Sequence, residues 1–144
     1  SWCRPPCSPT CAARCPAGYR ERKRMGKAQR EKGKRGEREQ AAINRDLGFT
    51  DSRRGQQFHG GGDSPDVTGV PGIHLEVKRV EKLMLEPSLD QAGRDSADDE
   101  IPVVAHRPNG RDWIAILDYR SFMGMYKELL DLREAAEAME DDRK

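Results

Sequence analysis

The segment SPDVTGVPGIHLEVK, residues 64–78, decides the fold that the sequence predicts. A break at Val70-Pro71-Gly72 separates two short runs whose apolar and polar residues alternate, as in half-buried β-strands. A turn centred on Pro71 would pair residues whose numbers sum to about 142, so that Val67 faces Leu75 on an apolar face. The segment therefore predicts a β-hairpin that is held by one apolar face and has a charged second face.

The charged face of this hairpin is unusual because the same register sets Asp66 opposite Glu76. Directly opposed side chains have Cβ atoms about 5 Å apart, and like charges at that distance are destabilising. A divalent cation is the simplest compensation, and oxygen ligands favour Mg²⁺ or Mn²⁺ over zinc. Lys78 lies two residues beyond Glu76 on the same face, where it can hold a water or a phosphate. The pattern suits metal-assisted phosphodiester hydrolysis; the alternative is a surface strand with harmlessly alternating charges.

The composition indicates one modest domain with long polar segments. The chain has 144 residues, of which 35% are hydrophobic and 35% are charged. No run approaches the roughly 20 apolar residues that span a bilayer, so we expect a cytoplasmic protein without membrane contact. We predict a disordered leader over residues 1–24, native or not, a folded domain over 25–130 and a charged tail over 131–144.

The leader contains all four cysteines of the chain, at intervals of four residues: Cys3, Cys7, Cys11 and Cys15. Four interspersed prolines argue against a continuous helix there, and the spacing differs from that of common zinc sites. A metal site and a disulfide framework remain alternatives to an unstructured leader.

Charge is segregated along the chain although the net charge is only +1. Basic residues crowd the front, and acidic residues dominate residues 95–100 and the C-terminal end. Clustered Lys and Arg gain free energy by releasing counterions from phosphates, so the front predicts a polyanionic partner. A solvated basic tail is the alternative.

Local patterns predict the remaining elements. A helix over residues 34–47, with an apolar stripe of Ala41, Ala42, Ile43 and Leu47, ends at Gly48, and a glycine-rich loop follows over 50–64. After the hairpin come a short helix in 88–97 and a second hairpin in 101–119 around Asn109-Gly110. Ser121 would then cap a helix with one apolar face, formed by Phe122, Met125, Tyr126, Leu129 and Leu130. This order predicts an α/β (α+β) domain whose small mixed β-sheet is flanked by helices.

Three motifs carry a resemblance to a known family. The pair PD at 65–66 followed by EVK at 76–78 looks like the signature of the PD-(D/E)xK nuclease superfamily. KGKRGERE, residues 32–39, resembles the opening helix of archaeal-type and phage Holliday-junction resolvases, and GGGDSPDV, residues 60–67, is similar to the entry into their first catalytic strand. The resemblance covers residues 32–80 and implies a restriction-endonuclease-like core.

The resemblance also implies roles for individual residues. The Mg²⁺ or Mn²⁺ site would consist of Asp66, Glu76, the carbonyl of Val77 and Glu37. The catalytic residues would be Glu37, Asp66, Glu76 and Lys78. DNA would be bound by Lys34, Arg35, Arg38, Arg53 and Arg54. Lys78 would orient the nucleophilic water. The implied protein is a homodimer that makes paired nicks in a four-way DNA junction. The spacing between the two catalytic strands is shorter here, and the C-terminal half differs from the family's pattern.

Alternatives remain at several positions. Glu37 is equally typical of a helix-surface acid paired with a neighbouring base. His74 and His59 are candidates for substrate contact, and Gln91 is a candidate for assisting the site. Asp63 and Ser64 are candidates for shaping the loop. We predict that Trp113 and the Phe122/Tyr126 stripe lie in the core or in a dimer interface rather than stack on bases. Two other functions stay open: a related nuclease with a different DNA target, and a non-catalytic nucleic-acid-binding protein.

Overall fold

A computed structural model of the chain describes residues 17–55 and 65–141, with side chains from residue 26 onward. The elements follow in the order α1 (Ala17–Asp46), β1 (Arg53–Arg54), β2 (Val67–Thr68), β3 (Ile73–Lys78), α2 (Leu85–Asp95), β4 (Ile101–His106), β5 (Ile114–Ile116) and α3 (Tyr119–Asp141). Leader residues 1–16, with the cysteines, and loop residues 56–64, with His59, Asp63 and Ser64, lie outside the described part.

The five strands form one mixed sheet in the spatial order β1-β2-β3-β4-β5. β3 and β4 are parallel and are joined through α2, because a parallel pair requires a crossover connection. The other neighbouring strands are antiparallel. The predicted fold class, a small mixed sheet flanked by helices, is therefore confirmed.

The two faces of the sheet pack against different helices. On the first face, Leu75 and Val77 of β3 join Val103 and Ala105 of β4 and Ala41 of α1 in the hydrophobic core. On the second face lie the alternate residues of β3, including Glu76 and Lys78, and the side chain of Lys78 contacts α2. The first face thus has the apolar core cluster, whereas the second face combines buried Val104 with the charged side chains Glu76 and Lys78.

Both predicted hairpins are confirmed. Val67 pairs with Leu75, which is the register that a turn around Pro71 predicts. Gly69 and Gly72 take positive φ values of 88° and 74° in this connection. In the second hairpin, β4 pairs with β5 through a turn in which Gly110 has a φ of 68°.

Several element boundaries differ from the prediction. α1 begins at Ala17 rather than at residue 34, because no proline lies between residues 17 and 46 and Arg, Lys, Glu and Gln are good helix formers. α1 ends at Asp46, so Gly48 does follow its end, but Leu47 is 72% exposed and Ala41 alone of the predicted stripe is in the core cluster.

Two further differences concern the loop and the last helix. The loop predicted over residues 50–64 contains the two-residue strand β1, which is too short to give a periodic pattern. α3 is capped by Asp118, whose carboxylate accepts the Ser121 backbone N–H at 2.9 Å, rather than by Ser121. The hydrogen bonds to Ser121 lower the pKa of Asp118. α3 also continues through the predicted tail to Asp141.

Candidate functional site

Asp66 occupies a bend immediately before β2, where the hairpin leaves its regular pairing. Its backbone N–H donates to the Leu75 carbonyl at 3.0 Å, one residue off the register in which Val67 pairs with Leu75. Its carboxylate oxygen Oδ2 accepts the backbone N–H of Val77 at 2.8 Å. These two bonds hold the Asp66 carboxylate against β3, beside residue 76.

The electrostatic environment of Asp66 raises its pKa from 3.8 to about 6. Burial is the largest cause, because the charged form is poorly solvated there. The negative charges of Glu76 and Glu37 add to this rise, while the Val77 N–H and the Lys78 ammonium oppose it. The negative charges of both other predicted acids, Glu76 and Glu37, therefore act on Asp66. The repulsion between Asp66 and Glu76 is the one that the sequence predicts.

Glu76, which is buried, and Lys78, which is partly buried, form an ion pair on the second face of the sheet. Glu76 is only 4% exposed, and its Oε1 accepts from Lys78 Nζ at 2.6 Å. Lys78 Nζ also donates to the side-chain oxygen of Gln91 on α2 at 3.0 Å. An ammonium group has three N–H donors, so these two bonds leave one for a water or a phosphate oxygen. Gln91 thus holds Lys78 in place.

Glu37 is brought to the site from α1 by an ion pair. The guanidinium of Arg54 on β1 donates to Glu37 Oε2, and the Glu37 side chain is largely buried. This pair fastens α1 to the outer strand of the sheet. The alternative interpretation of Glu37 as a helix-surface acid paired with a neighbouring base differs from the structure, because its partner lies on a strand 17 residues away.

A cavity of about 170 Å³ lies between α1 and the strand edge. It is lined by Arg30, Lys34, Glu37, Arg54, Gly55, Pro65 and Asp66. Its volume is below the 300 Å³ or so that a drug-sized ligand needs, and it suits a phosphate group with its waters. Glu76 and Lys78 do not line this cavity, so Asp66 lies at the boundary between it and the polar second face.

Gly55 forms the tight wall of the cavity. Its N–H donates to the Asp66 carbonyl at 2.8 Å, and a Cβ at this position would lie 2.1 Å from the Pro65 carbonyl oxygen. No side chain fits there, so the chain passes close enough to fix the backbone of Asp66. Gly55 has no distinguishing pattern in the sequence, because it is one of several glycines in the loop predicted over residues 50–64.

The predicted DNA-binding residues divide into two groups. Lys34 and Arg54 line the cavity, whereas Arg35, Arg38 and Arg53 are exposed and are not part of its wall. Arg30 was missed and belongs with the first group. Its position four residues before Lys34 places it one helical turn away on the same face, and this spacing is the pattern that could have identified it.

The other weighed residues lie away from the cavity. His74 is completely buried, with Nδ1 3.5 Å from Glu100 Oε2, so it is a core residue rather than a substrate contact. Trp113 is half-buried and packs against the core cluster, which agrees with the first of its predicted positions, core or dimer interface. Phe122 and Tyr126 are exposed on α3.

The metal-binding capacity of the site rests on two carboxylates, Asp66 and Glu76. Among the described residues, no three His, Cys, Asp or Glu side chains gather into a metal-binding group. The Val77 N–H, rather than its carbonyl, is the group that contacts Asp66. Mg²⁺ in proteins is commonly held by one or two carboxylates together with waters and substrate phosphates, so the oxygen donors present fit such an ion.

Comparison with known proteins adds no further assignment. No protein-family model, curated protein or solved structure matches the chain. Within residues 17–55 and 65–141, no helix has the length and apolar character to cross a membrane.

Proposed function

We propose that the chain is a metal-dependent DNA endonuclease that hydrolyses phosphodiester bonds, with a four-way junction as its preferred substrate. The observation that carries this proposal is the position of Asp66. Its carboxylate is coupled to Glu76 and Lys78 on one side, and on the other it lines a cavity with Arg30 and Lys34. Acidic side chains that could hold a metal ion and cations that could bind phosphate therefore lie on the two sides of the Asp66 carboxylate.

The cations of the cavity supply the contacts that a DNA backbone needs. Lys34 and Arg30 lie one turn apart on α1, and Lys27 continues the same face toward the N-terminus. Successive phosphates can contact these residues without any base being read, since phosphate contacts position a duplex but do not specify sequence. The proposed binding should therefore weaken steeply with salt.

The acidic residues and Lys78 supply the proposed chemistry. A bound Mg²⁺ or Mn²⁺ would neutralise the charge that develops on the phosphate and lower the pKa of a bound water. Asp66 and Glu76 would hold the ion, with waters and phosphate oxygens as its other ligands. Lys78, fixed between Glu76 and Gln91, would use its remaining N–H to orient the attacking water.

Glu37 would act from the cavity side. Its negative charge adds to the burial and the Glu76 charge that raise the pKa of Asp66, so a proton is held there until a cation offsets the acidic charges. Asp66 must be ionised to bind the ion, so we expect cleavage to decline as the pH falls below about 6.

One observation favours the non-catalytic alternative. Glu76 already has its charge compensated by Lys78 at 2.6 Å, and the described residues include no three-ligand metal group. A chain that keeps this arrangement with DNA bound would bind nucleic acid through α1 without cutting it.

A cleavage assay separates these functions. Purified full-length protein is incubated with a labelled four-way junction and with linear duplex, each with Mg²⁺ or with a chelator. Metal-dependent cutting of the junction supports the proposal, cutting of duplex alone supports a nuclease with another target, and binding without cutting supports the non-catalytic alternative. Asp66→Asn should abolish cutting and keep junction binding, with Asp90→Asn, a change at an exposed aspartate on α2, as the matched control.

A further inference from the structure

The helix α3 has an apolar surface that the rest of the described chain does not cover. Its 23 residues include none that are buried. Among the residues whose side chains the structure describes, most of the large exposed hydrophobic ones lie on α3: Tyr119, Phe122, Met123, Met125, Tyr126, Leu129, Leu132 and Met139. Helices in water owe most of their stability to packing of an apolar face, so a surface of this size indicates a partner.

Six apolar residues of α3 follow a heptad repeat. Phe122, Met125, Leu129, Leu132, Ala136 and Met139 are spaced alternately by three and four residues without interruption. In heptad notation these residues occupy the a and d positions, and the large ones among them are between 38% and 69% exposed. A seam of this kind is the pattern by which two helices pair along their length, each residue inserting between residues of the other helix.

The charges beside the seam identify the partner and its direction. Glu128 occupies a g position and Arg133 the following e position, and neither has an ion-pair partner among residues 26–55 and 65–141. In a parallel pair of identical helices, each g residue faces the next e residue of the partner. A second copy would thus place Glu128 opposite Arg133 twice, whereas an antiparallel pair would not.

The outer face of α3 is consistent with this orientation. Lys127 and Asp131, at the f and c positions, form an ion pair within the helix on the side away from the seam. We propose that α3 pairs with α3 of a second copy of this chain as a parallel, in-register coiled coil. This inference is independent of the proposed nuclease activity, because it concerns residues outside the candidate site.

A pair of methionines provides a matched test. Met123 and Met125 are 40% and 38% exposed, but Met123 lies at a b position outside the seam and Met125 at a d position within it. The mass of the full chain is measured by sedimentation over roughly 5–200 µM, since dimerisation depends on protein concentration. We expect a dimer for the parent and for Met123→Glu, and at least a 10-fold weaker dimer for Met125→Glu.

The register is tested by charge exchange. Glu128→Arg alone should weaken the dimer through facing like charges, and the double change Glu128→Arg with Arg133→Glu should restore it. In a background whose four cysteines are serine, Leu132→Cys should form a disulfide with its own counterpart. A monomer at every concentration, equal effects of the two methionine changes, or failure of the double change to restore dimerisation would overturn the proposal.

Discussion

Asp66 gives the sharpest test of the site, because its raised pKa makes it a destabilising residue in the absence of metal. Between pH 3.8 and about 6 the folded protein binds a proton at Asp66 more readily than the unfolded chain does. The free energy of unfolding must therefore fall as the pH rises through this window. Replacing Asp66 with Asn removes the titrating carboxyl and keeps an oxygen that can accept the Val77 N–H.

The magnitude follows from the pKa in the two states. A rise from 3.8 to about 6 corresponds to a loss of about 3 kcal/mol once Asp66 is ionised in both states. The loss is incomplete at lower pH, so the stability of Asp66→Asn relative to the parent should increase by about 1 kcal/mol between about pH 5 and about pH 7.5. Any constant effect of the substitution cancels in this difference.

The assay is urea unfolding of both proteins in chelator at the two pH values. Asp90→Asn, which removes a carboxylate from an exposed position on α2, controls for the change in net charge. Adding Mg²⁺ at the higher pH should stabilise the parent and leave Asp66→Asn unchanged, because only the parent has both carboxylates. A relative stability that does not vary with pH would refute the argument that burial and the neighbouring acids strain Asp66.

Three further predictions concern the walls and supports of the site. Gly55→Ala should destabilise the fold by about 2 kcal/mol or more, because its Cβ would collide with the Pro65 carbonyl. Gly33→Ala, at a position in α1 with open space around it, should instead stabilise the fold by about 0.5–1 kcal/mol. Urea unfolding measures both variants, and equal effects would contradict the packing argument. Lys34→Ala should reduce the salt dependence of DNA binding, measured by fluorescence anisotropy, by about one phosphate contact, with Arg35→Ala as the control outside the cavity. Identical plots of binding constant against salt concentration for Lys34→Ala and the parent would show that Lys34 does not contact DNA. Gln91→Leu should slow cleavage roughly 10- to 100-fold without changing junction affinity, because the change frees Lys78; unaltered single-turnover rates would show that Lys78 needs no support from α2.

Much of the central sheet could be predicted from short-range sequence pattern. The alternation around Pro71 gives the register in which Val67 pairs with Leu75, and a slip by one residue would have moved the apolar side chains out of the core. Asn109-Gly110 marks the second hairpin because few residues besides glycine adopt the positive φ of 68° found at Gly110. Such constraints act between neighbours in the chain and are therefore legible in the sequence.

The sequence by itself determined which two acids of the hairpin lie near each other, because the spacing of Asp66 and Glu76 across one turn limits which residues can come together. Only the tertiary structure decided the rest of the surroundings. Packing of α1 against the sheet brings Arg54 to Glu37 and Arg30 into the cavity, and α2 brings Gln91 to Lys78. The exposure of α3 is likewise a property of the folded chain, because an apolar stripe reads the same whether it packs inside one molecule or between two. These contacts join residues far apart in the chain, and their free energy depends on burial and distance rather than on local pattern.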